Sequence, residues 1–184
     1  MASELTVQTI KAPTSGGNAN KILIGSGQIL HAPGHVIQVK NDTSTTKVTN
    51  STQAYTDMGL SVVITPSSAT NYFWVMVEGH FSSQNTTSSK GYGFNIYKNG
   101  TAVTGSPNDG VNPSDQPYDF YHDNASNRFF NRDSKIYYAA TGSTSAVTFT
   151  AQFTGYSYAS QGNVILGMSD GETQHTLTVM EIAG

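Results

Sequence analysis

The chain has 184 residues, a net charge of −3, no cysteine, and only 11 % charged residues, against roughly 25 % in an average globular protein. Phosphate binding needs clustered Lys and Arg, which are missing, so a nucleic-acid partner is excluded. No apolar run approaches the roughly 20 residues of a membrane span, so no membrane insertion is expected. MASELTVQTIK at the start has neither the basic nor the apolar region of an export signal, and the lack of cysteine favours synthesis in a reducing cytoplasm. A surface rich in Ser, Thr, Asn and Gly favours strands and turns over solvated helices.

Leu5 to Ile10 alternates like a short strand, and KAPTSGGNAN (11–20) is a loop by composition. KILIGSGQILHAP (21–33) reads as two short strands around a GSG turn, with too little apolar surface to stand alone. Residues 1–33 therefore need neighbours, either the main domain or copies of the segment from other chains, and 34–184 is expected to be a β-sandwich domain. His35 to Val39 is its first strand; Asn41 to Gln53 is a loop or a mostly exposed strand. Leu60, Val62 and Ile64 alternate with Ser61, Val63 and Thr65, the period of two that buries one strand face. Pro66, which has no N–H for a ladder, ends that strand. Tyr72 to Val77 is nearly all apolar and holds the single Trp, Trp74. Such a run is expected of a strand covered on both faces, at the centre of the core.

Gly91 to Asn99 is the next strand, and Asn99-Gly100 is the strongest hairpin signal, since a type I′ turn needs positive φ twice. TAVT (101–104) returns as its partner. Further strands are predicted at Lys135 to Ala140, Ala146 to Phe153, Asn163 to Met168 and Gln174 to Ile182. Turn signals every 8 to 12 residues point to an all-β, jelly-roll-like antiparallel β-sandwich.

The stretch 105–134 breaks this pattern with Pro107, Pro113 and Pro117, five Asp residues and interleaved aromatics. A connection of that length is more often functional than decorative. Aromatic faces stack on sugar C–H surfaces while Asp and Asn bond hydroxyls. The expected receptor or glycan-binding residues are Asp115, Tyr118, Asp119, Tyr121, Asp123, Asn124 and Arg128, joined by Tyr156 and Tyr158 from a later loop. Phe120, Phe129 and Phe130 have an alternative role as anchors of the loop to the sandwich or to a neighbouring subunit. Asp109, Asp115, Asp119 and Asp123 offer oxygen ligands, but the spacing of a calcium loop is missing. A solvated loop that uses Asp and Asn for turns is the simpler alternative.

MASELTVQTIK, NKILIGSGQILHAPGHVIQV, GLSVVITPSS and TLTVMEIAG together resemble small fibre-like virion proteins of marine tailed bacteriophages. The resemblance covers both ends and the centre and leaves 105–134 outside it. It implies that 1–33 is an attachment or shaft segment that joins other virion proteins or a fibre shaft, that 34–184 is a β-sandwich knob, and that the protein is a homotrimer located in the virion. None of the matching motifs is catalytic. No G-x-S-x-G elbow, reactive thiol or paired metal-ligand histidines occur among His31, His35, His80, His122 and His175. The chain is too short for the elongated polysaccharide-cleaving fibres. The expectation is a non-enzymatic structural protein with no cofactor and no metal that contacts a host-surface glycan. A capsid-decorating or connector protein without a receptor, or a carbohydrate-binding module, is the alternative.

Overall fold

The computed structural model describes residues 14–16, 32–51, 54–83, 90–104, 119–122, 129–155, 164–166 and 173–184. The expected attachment segment, 1–33, lies outside them apart from 14–16 and 32–33. Eleven strands and no helix occur among the described residues. They are β1 (Val36–Ser44), β2 (Val48–Asn50), β3 (Thr56–Ile64), β4 (Tyr72–Ser83), β5 (Lys90–Lys98), β6 (Thr101–Ala102), β7 (Phe120–His122), β8 (Phe129–Ala140), β9 (Val147–Gly155), β10 (Val164–Leu166) and β11 (His175–Ile182).

One sheet runs β1-β11-β4, with β8 on the far side of β4; the short β10 and β2 extend it beyond the end of β11. The other runs β3-β9-β5, and β6 and β7 pair with opposite ends of β5. Every pairing is antiparallel. Setting aside the short β2, β6 and β10, the order is first–last–third–sixth in one sheet and second–seventh–fourth–fifth in the other. That is the double Greek key of a jelly roll.

Period-two alternation builds the core. Leu60, Val62 and Ile64 of β3, Phe73, Val75 and Val77 of β4, and Leu177 and Val179 of β11 are all buried. An aromatic group fills one end of the space between the sheets. Phe81 stacks on Tyr92 with ring centroids 4.2 Å apart, and Phe94 and Phe153 lie at 5.0 and 6.0 Å. Gly59, at φ 73°, sits inside the irregularity where β3 shifts register against β9 between Asp57 and Ser61. Asn99 and Gly100, at φ 50° and 80°, make the expected tight turn, and Asn99 Oδ1 accepts from the Thr148 N–H.

Several strand limits differ from the sequence reading, and Phe120–His122 forms β7 inside the stretch 105–134 expected to be a connection. Within 41–53, β1 continues to Ser44 and β2 forms at Val48–Asn50, the strand alternative of the two expected there. β4 continues to Ser83, and β8 begins at Phe129 rather than Lys135. Among the described residues β4 is covered on one face only: Phe73, Val75 and Val77 point inward, while Tyr72, Trp74 and Met76 are half-buried on the outer face. Trp74 thus lies outside the core. It belongs to a cross-strand row, Val39–Met180–Trp74–Tyr138, that crosses β1, β11, β4 and β8. A second row, Asn41–Thr178–Met76–Ile136, runs beside it. Tyr72 and Tyr138 stack with centroids 5.2 Å apart on the same face.

Candidate functional site

Five strands, β4, β5, β7, β8 and β9, converge at one end of the sandwich. Ser83 pairs with Phe129, Tyr92 with both Gly155 and Phe120, and Lys90 with His122. The connections 84–89, 123–128 and 156–163 therefore start or finish there, although they are distant in sequence. Phe129 is buried and Phe120 packs partly buried against the core, with ring centroids 4.9 Å apart and Tyr92 at 5.6 and 5.5 Å. These two act as the anchors expected of them. Phe130 does not, because it is 53 % exposed on the opposite face of β8.

Inward-facing polar groups line this end. The Tyr92 hydroxyl donates to Asp133 Oδ2 at 2.5 Å and accepts from Asn131 Nδ2 at 2.6 Å. Burial, reinforced by the bond to Asp133 and its charge, pushes the Tyr92 phenol well above its usual range. Lys135 also points inward. Its Nζ donates to Asp119 at 2.7 Å and to the Phe94 carbonyl at 2.6 Å, and lies 4.8 Å over the Phe94 ring. Asp119 accepts in addition from the Phe94 N–H at 2.8 Å, and its own N–H donates to the Tyr92 carbonyl. One side chain thus pins the entry of β7 to β5 and to β8.

Of the residues expected to bind a glycan, Asp119 holds this bridging position, and the Tyr121 backbone pairs with Gly91. Asp115, Tyr118, Asp123, Asn124, Arg128, Tyr156 and Tyr158 lie outside the described residues. The fold brings the flanks of the two candidate loops together at Tyr92, through Phe120 and Gly155. The polar set of Tyr92, Asn131, Asp133 and Lys135 was missed in the sequence. Its signal is polar residues at every second position, 131, 133 and 135, of a strand whose alternate face should be apolar.

Two further groups lie nearby. His175 is fully buried; its Nδ1 accepts weakly from the His80 N–H at 3.4 Å, and its Nε2 has no hydrogen-bond partner among the described residues. Burial, and then the neighbouring His80, lower its pKa to about 4. His80, Phe81, Phe130, Asn131 and Arg132 line a pocket of about 190 Å³, below the roughly 300 Å³ at which ligand clefts begin. Arg132 forms an ion pair with Glu78 at its rim. Among the described residues no group of three or more His, Asp or Glu side chains is placed to hold a metal ion.

The arrangement is a packed aromatic base at one end of the sandwich, its polar groups committed mainly to one another. Neither a protein-family model nor a curated protein matches the sequence.

Proposed function

We propose that the chain is a non-enzymatic structural protein of a tailed-phage virion, of tail-fibre or fibre-tip type. In this reading it assembles as a homotrimer, joins other virion proteins through residues 1–33, and contacts a host-surface glycan with its loop end. The virion role rests on the sequence resemblance at both ends and the centre of the chain. One geometric observation carries the receptor role: Gly155 pairs with Tyr92 and His122 with Lys90 on opposite edges of β5, so the flanks of 123–128 and 156–163 lie one strand apart beside a packed aromatic base. Loops that carry Asp123, Asn124, Arg128, Tyr156 and Tyr158 on such a base supply aromatic faces and hydroxyl-binding groups without a deep pocket.

The test is competition with phage adsorption to the host bacterium by purified full-length chain, wild type against Asp123→Ala/Tyr156→Ala/Tyr158→Ala. At least a tenfold loss of competition with an unchanged melting temperature is expected. Equal competition by the two proteins overturns the site, and no competition by wild type favours a decorating or connector role.

A further inference from the structure

Strands whose sequence is apolar at consecutive positions are normally covered on both faces, yet among the described residues β4 is covered on one. The outer face of its sheet bears Trp74 and Met76 half-buried, with Val39 52 %, Ile136 53 % and Tyr138 56 % exposed around them. Met180 completes the row between Val39 and Trp74. These residues share one side of four adjacent hydrogen-bonded strands, and neither of the two rows they form contains a charge. The first charge along β4 is Glu78, and Arg132 of β8 pairs with it. Patches of this kind on soluble proteins mark interaction sites.

We propose that this outer face, centred on Trp74, is the surface through which copies of this chain associate. Four strands at about 4.8 Å spacing and seven residues at about 3.3 Å give a footprint of about 19 by 23 Å. With side-chain relief this is on the order of 700 Å² of accessible surface, close to the roughly 800 Å² that each partner contributes to a standard interface. An uncharged face offers nothing to select a charged partner, whereas the same face on neighbouring copies, converging on a shared three-fold axis, matches its lack of charge. Trp, Tyr and Met, here half-buried Trp74, Met76 and Met180 and exposed Tyr138, are also the residues enriched at such contacts, and interfaces between identical chains are the more apolar class. The inference rests on the assembly part of the function proposed above and is independent of its receptor part.

Light scattering on the full chain, wild type against Ile136→Lys/Tyr138→Lys, tests it together with acrylamide quenching of Trp74, the chain's single Trp. Both substituted side chains are more than half exposed, so the fold should tolerate lysine there, and circular dichroism melting checks that it does. Wild type is expected at a multiple of the chain mass with Trp74 protected, and the variant as a monomer with quenching increased severalfold. Trp74→Lys, measured in the same way, is expected to dissociate as well. An oligomer that survives all three substitutions overturns the proposal, as does a wild-type monomer at micromolar concentration. A monomer with Trp74 protected also overturns it, because the cover then comes from the chain itself. Loss of adsorption competition with association intact counts only against the receptor reading. Loss of association with competition intact supports the interface proposed here.

Discussion

The two ends of β11 bury one titratable side chain each, both on the inward face, and treat them in opposite ways. At the C-terminal end Glu181, fully buried, accepts from Asn71 Nδ2 and Gln38 Nε2 at 2.6 Å and from the Ser67 N–H and hydroxyl at 2.8 Å. Burial alone would raise its pKa, but these donors outweigh it and hold the carboxyl below its ordinary value. The carboxylate thereby ties the β3–β4 turn to the last strand and to β1. At the N-terminal end His175 is equally buried with one ring nitrogen unpartnered among the described residues, and the fold holds it neutral. Burial of a polar group stabilises a fold only where its hydrogen bonds are replaced. One end of the strand is a clamp and the other a weak point.

The clamp should give the largest response. Glu181→Ala orphans four donors, and a loss of about 3–5 kcal/mol is expected in urea denaturation at neutral pH. A loss under 1 kcal/mol would show that the clamp is not the difference between the two ends.

Acid should separate the ends by pH window. The folded pKa of His175, about 4, lies below the unfolded 6.5, so its contribution is complete above about 6.5 and is lost as pH falls toward 4. The full span corresponds to about 3 kcal/mol. His175→Leu should flatten the stability profile between pH 6.5 and 4. Glu181, depressed below 4.5, acts only lower: its contribution is present above about 4.5 and lost as pH falls through the folded value. Glu181→Gln should leave the slope between pH 6.5 and 4.5 unchanged. A profile for His175→Leu identical to wild type would break the comparison.

The smallest effect is expected at the rim of the weak end. Arg132, 63 % exposed, pairs with Glu78 on the outer face, and exposed pairs contribute little. Arg132→Ala should change stability by less than about 1 kcal/mol, read from the same urea curves. A larger loss would mean that the outer ion pair, and not the buried polar groups, supports this end.

What could be read from the sequence followed local rules. The alternation at Leu60, Val62 and Ile64, the stop at Pro66 and the turn at Asn99-Gly100 each depend on neighbours along the chain. The missed features depend on the other sheet. The first half of β8 was hidden because Asn131 and Asp133 face inward to meet Tyr92, whose position no local pattern encodes. The contact of Asp119 with Lys135 was not legible because the two become neighbours only when β7 and β8 close over Phe94. Trp74 read as core because an apolar run does not say which of its faces the same chain will cover.

The sheet order has a kinetic consequence. Among the described strands, β5 and β6 around Asn99-Gly100 are the only pair both adjacent in sequence and hydrogen-bonded to each other. β1 waits for β11, with Val36 opposite Ile182, and β3 waits for β9. Closing such spans loses chain entropy before any contact repays it, so refolding belongs to the slow regime of milliseconds to seconds. Until the last strand docks, the lane between β1 and β4 stays open, and the inner sides of both strands have no neighbour to bond. The interval before β11 arrives, more than any weakness of the finished sandwich, is when these chains are most exposed to pairing with one another in the wrong register.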